Sequence, residues 1–287
     1  MARQYHRKYE LHIIPTDGDS KVIRDLRIKF NVNKSLLSTP NLCKLELINP
    51  NQSTLAVLSN KFTKILLNVG YGDDLLLLFT GEVRNLKHSK TSVERTITIF
   101  AGDGEQSWQN SIFNKTYSAS VQTSVVIEDI VKSFGDVLTG SLEGLPEVAD
   151  KIMGQTLSGS SRDILDMFAT EYGFTWGIQD SELVITPDKV AASNKELVVV
   201  SPLTGMIDSP TITEIGVDVI TLLNPRLTPN APFKVDAEGA DLQLGDLRFR
   251  RAPRNNATGL YKVRSTEFIG DSYEGNWLSK VSGELHR

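Results

Sequence analysis

The chain repeats itself weakly, and that repetition limits its fold more than any single motif does. An early segment reads Phe79-Thr-Gly-Glu-Val-Arg-Asn-Leu86, then a polar stretch, then Arg95-Thr-Ile-Thr-Ile-Phe100. A late segment reads Tyr261-Lys-Val-Arg-Ser-Thr266, then Gly270-Asp-Ser-Tyr-Glu-Gly275, then Trp277-Leu-Ser-Lys-Val-Ser282. Each reads as a strand, a polar turn and a strand. A looser parallel lies upstream of each. Lys34–Pro40 precedes Lys44–Ile48 in the first, and Ile220–Pro225 precedes Phe233–Asp236 in the second. Two similar β-modules in one polypeptide present two similar faces, and three copies would make a ring of six near-equivalent positions. Such a role is geometric rather than chemical.

Residues 1–105 have the period-2 pattern of strands. In Leu26–Val32, Leu26, Ile28, Phe30 and Val32 share one face, and Arg27, Lys29 and Asn31 take the other. Tyr9–Ile14, Lys44–Asn49, Ile65–Val69, Leu75–Phe79 and Thr96–Phe100 are further strands, and Gly70–Asp74 is the turn of a hairpin. Leu55–Leu58 is too short to separate a helical turn from a strand. Residues 106–192 change character. Val126, Ile127, Ile130, Val131 and Phe134 form a helical stripe that Thr123 or Ser124 caps and Gly135 ends. Ile164, Leu165, Phe168 and Tyr172 form a second stripe, stopped by Gly173. Phe174–Ile178 and Glu182–Thr186 follow as a hairpin, while Gly140–Pro146 and Gly154–Gly159 read as loops. Residues 193–287 return to β. The expected fold is mainly β, with β-barrel or sandwich modules at 1–105 and 193–287 flanking a small α+β domain at 106–192.

The formal net charge of −4 is unevenly spread. Residues 1–34 hold eight Lys/Arg against four Asp/Glu, residues 102–190 five against fourteen, and residues 246–287 eight against five. An acidic middle with basic ends suits different partners at different places. The single cysteine, Cys43, excludes an internal disulfide framework and sits in a strand where a small buried residue fits. Arg3, His6, Arg7 and Lys8 interrupt any leader-like apolar run. The longest apolar run, Leu75–Phe79, is far short of a membrane span, so no membrane insertion is expected. These features point to a soluble protein folded in a reducing compartment.

Sites for chemistry are scarce. His6, His12, His88 and His286 have no metal-ligand spacing, and no nucleophile elbow or phosphate loop occurs. Tyr71-Gly-Asp-Asp74 matches a short polymerase signature, but it is also plain turn chemistry, and two-metal catalysis needs more carboxylates than it supplies. Asp103 and Glu105 are a candidate carboxylate pair for acid–base work, with a turn leaving a strand as the favoured reading. The basic loop Arg248–Arg254 has one aromatic, Phe249, and suits an acidic neighbouring subunit better than nucleic acid. No cofactor or metal and no catalytic residue is expected.

The string Ser161–Ile185 resembles the small middle domain of baseplate hub proteins from contractile-tailed bacteriophages. Ser201–Pro210 and Val219–Pro225 resemble the entry to that family's second β-module, and Gly70–Asp74 with Phe79–Val83 resemble the hairpin of its first. The resemblance implies a structural homotrimer, assembled in the host cytoplasm into the virion tail. Its two tail-tube-like modules would give a pseudo-hexameric ring, with one side on the sixfold tail tube protein and the other on a trimeric central spike. It also implies contacts with other baseplate proteins and the tape-measure protein, and a channel that passes DNA without sequence-specific binding. Intersubunit contact is expected at the hairpins and the basic loop, through Leu75, Leu77, Phe79, Arg248, Arg250, Arg251, Tyr261 and Trp277. The equivalent part of a contractile injection or secretion machine is a close rival. A tail-associated peptidoglycan hydrolase or glycan-binding module is the alternative of a different class.

Overall fold

The computed structural model describes residues 6–60, 63–143, 145, 154–187, 191–192, 194–237, 243–244 and 257–285. They fall into two compact units. One comprises Met1–Ser35, Asn41–Gly102 and Ala191–Arg287, and the other comprises Leu36–Pro40 and Asp103–Val190. The first is built of strands with one short helix and the second is α+β, so the fold is mainly β with a small α+β part.

Alternation of apolar and polar residues makes the first strands. They are β1 (Arg7–Ile14), β2 (Lys21–Ile23), β3 (Ile28–Ser35) and β4 (Leu42–Ile48). Ile28, Phe30 and Val32 are buried in β3, and Cys43, Leu45 and Leu47 in β4. Helix α1 (Gln52–Leu58) resolves the ambiguous stretch. The Asn51 side chain caps it by accepting the Thr54 N–H at 2.9 Å. Strands β5 (Lys64–Tyr71) and β6 (Asp74–Lys90) form the expected hairpin around Gly72, whose φ of 58° suits glycine, and β7 (Arg95–Gly102) completes the module.

The second unit holds α2 (Glu105–Asn110), β8 (Ile112–Tyr117), α3 (Thr123–Lys132), β9 (Leu138–Thr139), β10 (Gln155–Ser160), α4 (Ser161–Tyr172), β11 (Phe174–Gln179) and β12 (Glu182–Pro187). The stripes on α3 and α4 pack with Phe174, Trp176, Ile178, Leu183 and Ile185 in one core. Gly173 ends α4 at a φ of 70°. Two expectations are corrected. Gln122, not Thr123 or Ser124, is the N-cap of α3, and it makes no side-chain cap bond. The Gly154–Gly159 stretch is mostly strand, because β10 pairs antiparallel with β8 from Gln155↔Tyr117 to Ser160↔Ile112. Only Leu157 in β10 is buried, so its Gly/Ser/Thr composition hides the alternation.

The remaining strands are β13 (Val198–Val200), β14 (Thr211–Ile212), β15 (Gly216–Leu222), β16 (Pro232–Val235), β17 (Gln243–Leu244), β18 (Gly259–Asp271) and β19 (Trp277–Leu285). Their topology repeats the first module. The first runs β3-β4-β7-β6-β5-β1 across its sheet, and the second runs β14-β15-β19-β18-β16-β13. Strands in matching places also occur in the same order along the chain. Four neighbouring pairs are antiparallel in both. The fifth differs, since β1 is antiparallel to β5 whereas β13 is parallel to β16.

The register repeats too. Val83 faces Ala101 and Asn85 faces Phe100, leaving Arg84 as a bulge; Val263 faces Gly283 and Ser265 faces Ser282, leaving Arg264 as a bulge. The Val83 N–H donates to Thr63 O at 2.8 Å, and the Val263 N–H donates to Ala231 O at 2.9 Å. The hairpins read from the sequence are therefore equivalent in space. The upstream parallel is not: β4 matches β15, and β16 matches β5 instead. Short apolar runs look alike whichever strand carries them, and only pairing partners tell them apart.

Candidate functional site

Eight strands stand side by side in the order β14-β15-β19-β18-β3-β4-β7-β6, four from each module. The modules meet where β18 pairs antiparallel with β3, over seven residue pairs from Ser265↔Ser35 to Asp271↔Lys29. One face of this ribbon carries Val219, Val281, Phe268, Phe30, Val32, Leu45, Ile97 and Ile99, all buried. Phe268 and Trp277, from the second module's hairpin, are buried in the core of the first. Close packing sets the fit at this seam: a Cβ added to Gly270 would stand 2.2 Å from the Phe30 ring.

The other face is mixed, with half-buried Phe100, Ile220, Leu222, Ile269 and Leu278 among charged residues. Lys29, Lys44 and Lys280 alternate with Glu46, Asp218 and Glu267, and ion pairs lie across it, among them Lys44–Glu46 at 2.9 Å, Lys280–Glu267 at 3.1 Å and Lys29–Asp271 at 3.9 Å. The seam itself is bridged by charge. Arg27 binds both Asp271 oxygens, at 3.2 and 2.7 Å, and reaches Glu274 at 3.0 Å. The Asn31 side-chain amide donates to Glu267 at 2.7 Å. Partial burial opposes the charge on Asp271, but Arg27 and the amides of Tyr273 and Glu274 outweigh it and hold the carboxyl below the usual range. Burial likewise opposes the Glu267 charge, and hydrogen bonds from Asn31 and Lys280 lower its pKa overall.

These depressed values give the seam an acid limit. Both carboxyls bind protons more weakly when folded, so their contribution is complete above about pH 4 and is lost as pH falls through the lowered folded values. The Asp271→Asn/Glu267→Gln variant is expected to lose about 1–3 kcal/mol at pH 7. It is also expected to melt with a flatter acid dependence than the parent between about pH 4 and 2. Thermal melts across that range measure both, and identical slopes would show that the two carboxyls do not hold the seam.

The contact residues expected from the sequence are scattered by this geometry. Leu75 and Leu77 lie on β6, partly exposed, with Leu77 at 39%. Phe79, Tyr261 and Trp277 are buried, the first two completely. Arg248, Arg250 and Arg251 lie outside the described residues. The candidate chemical residues have structural partners. Asp103 is fully buried and accepts the Asp180 and Ser181 N–H groups at 2.6 and 2.8 Å. Glu105 accepts from the Gln109 side chain at 2.9 Å. Asp73 stands at a hairpin tip and pairs with Lys8 at 2.9 Å. Burial pushes the Cys43 thiol up to about 12, which keeps it an inert core residue at neutral pH. Among the described residues no group of three or more His, Cys, Asp or Glu side chains is placed to hold a metal ion. No helix among them is long and apolar enough to cross a membrane. Sequence reasoning missed Arg27 and Asp271 as a pair; 244 positions separate them, and no local pattern links them.

The arrangement has known counterparts. The 43 kDa tail protein of prophage MuSo2 from Shewanella oneidensis shares 12% identity over 96% of each chain, with a TM-score of 0.62. A tail protein from Neisseria meningitidis MC58 shares 8% identity over 98% of this chain and 97% of its own, at 0.63. The E. coli c3393 protein, a type VI secretion system component with structural similarity to the T4 tail proteins gp27 and gp5, shares 13% identity over 96% of this chain and 77% of its own, at 0.60. At such identities the likeness is one of fold, and the fold is that of phage tail proteins. No curated protein matches by sequence. The family model described as baseplate hub gp41 matches residues 13–238. The chain belongs to that baseplate hub family, and its role is a structural one in the tail baseplate.

Proposed function

We propose that three copies of this chain form the hub ring of a contractile tail baseplate, joining a sixfold tail tube to a threefold central spike. The observation that carries this reading is the duplicated module. Equivalent strand order, equivalent bulges at Arg84 and Arg264 and equivalent amide bonds at Val83 and Val263 let one chain occupy two neighbouring ring positions. Three chains then present six. In this reading residues 1–105 and 193–287 are the tube-like modules, and 106–192 is a separate domain between them. The ring is assembled in the host cytoplasm and carried in the virion, where the tape-measure protein and other baseplate proteins contact it. Its function is geometric and needs no catalytic group.

The charge-bearing ribbon face is proposed to line the channel. Lys29, Lys44, Lys87 and Lys280, balanced by Glu46, Asp218, Glu267 and Asp271, neutralise few phosphates on a passing DNA, so little counterion release accompanies contact and the polyanion slides. Leu75, Leu77, Arg248, Arg250 and Arg251 remain proposed contacts between subunits, while Phe79, Tyr261 and Trp277 serve by holding the hairpins that carry such contacts.

Mass measurement in solution tests the stoichiometry. The expected species weighs about 95 kDa, three times the 31.8 kDa of one chain, alone at high concentration or on adding the spike. A species that stays at 31.8 kDa under both conditions overturns the ring.

A further inference from the structure

The first module covers an edge that the second leaves open. Strand β1 pairs with β5 on one side and carries β2 on the other, over Leu11↔Ile23, His12↔Val22 and Ile13↔Lys21. Ile23 joins the core there, and Leu11 and Ile13 are fully buried. Strand β13 holds the place of β1, beside β16 instead of β5. Among the described residues no strand pairs with its outer side. The connection that follows is too short to supply one. A turn at Ser201–Thr204, closed by the Thr204 N–H on Ser201 O at 3.0 Å, comes directly after β13, and Met206 already pairs with Thr221 of β15. We propose, independently of the ring reading, that this edge receives an extended segment of another protein, added as a strand in the place that β2 fills in the first module. The segment alternates apolar residues facing the core with acidic residues facing out.

The backbone is set for it. The Asp236 N–H donates to Val200 O at 2.9 Å, so Val198 and Val200 turn their N–H and C=O groups to β16, and alternation turns those of Val199 outward. The Thr204 hydroxyl donates to Val199 O at 2.8 Å. A carbonyl oxygen has a second lone pair, so this oxygen and the Val199 N–H can both bond one residue of an incoming strand. An open edge recruits another strand. Strand addition takes its affinity from such main-chain bonds and its selectivity from alternate side chains.

Side chains set the pattern of the occupant. Val198 and Val200 face the core. Val200 is buried but Val198 only partly, whereas Leu11 and Ile13 on the matching strand are wholly covered. An apolar residue beside Val198 supplies what Ile23 supplies in the first module. On the outer face Val199, Lys234 and Leu260 stand in one row across β13, β16 and β18, all exposed. Leu197 and Leu203, before and after Val199 in the chain, are exposed too. Clustered exposed apolar side chains mark a contact surface. Charge selects what covers it. In the first module Arg24, next after β2, pairs with Glu10 of β1 at 2.6 Å. The outer row of the second module carries Lys234 and no acid, so its sign is reversed. It attracts a carboxylate on the added strand and repels a basic one, such as β2 of another copy with Lys21 and Arg24 at its ends.

Peptide binding tests the edge. The probe is a fluorescent peptide, Thr-Glu-Val-Glu-Ile-Glu-Val-Thr. One control has Lys in place of each Glu, and the other has the same residues reordered so that apolar and acidic positions no longer alternate. By fluorescence polarisation the probe is expected to bind at least tenfold more tightly than either control. At saturation it should slow hydrogen exchange of the Val199 amide at least tenfold, which contact through side chains alone would not do. Pro at an outward-facing N–H leaves the β13–β16 ladder intact, so Val199→Pro is expected to melt like the parent and to bind at least tenfold more weakly. Lys234→Glu should reverse the preference, so that the Lys control binds more tightly than the probe. No binding up to about 1 mM probe, the weak end of specific recognition, overturns the proposal. So does binding that leaves Val199 exchange unchanged, or that Lys234→Glu does not alter. A parent that associates by itself and protects Val199 without peptide makes the occupant a second copy and overturns the foreign partner. The mass of the ring assembly is a separate measurement, and none of these results decides it.

Discussion

Asp103→Ala is expected to unfold the second unit while the strands of the first stay folded. The Asp103 carboxylate is fully buried, and each oxygen accepts one backbone N–H of the β11–β12 turn. That turn needs holding, because Asp180 and Ser181 both adopt positive φ, 55° and 70°. Charge-assisted hydrogen bonds contribute about 1.5–3 kcal/mol each, and removing the acceptor also leaves two part-buried amides unsatisfied. The expected loss is about 3–5 kcal/mol, a large share of what a domain of this size has to lose. Calorimetry of the variant should resolve two transitions, with the lower one belonging to the α+β unit. Asp103→Asn keeps one acceptor oxygen and should lose roughly half as much. A thermogram superimposable on that of the parent would remove the carboxylate from the structural role assigned to it.

Trp277→Ala is expected to destabilise the isolated chain by about 3–5 kcal/mol, the usual range for deleting a large buried aromatic side chain. Trp277 is 2% exposed, and its ring meets Phe30 edge-on at 5.3 Å with an interplanar angle of 72°. The Arg7 guanidinium lies 5.8 Å from its ring centre. The residue belongs to the second module's hairpin yet fills the first module's core, so its loss loosens the seam from both sides. Its indole N–H is buried with no hydrogen-bond partner among the described residues, so Trp277→Phe removes that donor along with some volume and should cost less than half as much. Urea denaturation of dilute, monomeric protein measures this. A residue that acted only at a subunit contact would leave the monomer's midpoint unchanged, and that result would return Trp277 to the interface.

The strands with strict alternation were legible residue by residue. Ile28, Phe30 and Val32 point one way because a half-buried strand with period 2 allows nothing else. The stripes of α3 and α4 were legible for the same reason at period 3.6, as was the stop at Gly173. Strand β10 was not, since one buried leucine among Gly, Ser and Thr makes no pattern until β8 pairs with it. Trp277, Tyr261 and Phe79 read as contact residues because hydrophobicity on a hairpin does not say whether a core or a partner covers it. Lys34 is buried at 1% exposure within an alternating strand, where its residue type predicts a solvent face. The α2 helix begins after Gly104 at a φ of 57°, inside a string that reads as a turn.

The residue order by itself determined the local elements and the fact of repetition: strand faces, helix stripes, the two similar hairpins, and the absence of a disulfide framework. These follow from dihedral preferences and side-chain periodicity, which act over a few residues. Only the tertiary structure decided that β18 joins β3, that Arg27 grips Asp271 across 244 positions, and that β16 matches β5. Pairing over such distances is settled by which side chains pack and which charges meet once the chain has closed, and no short window of sequence contains both partners.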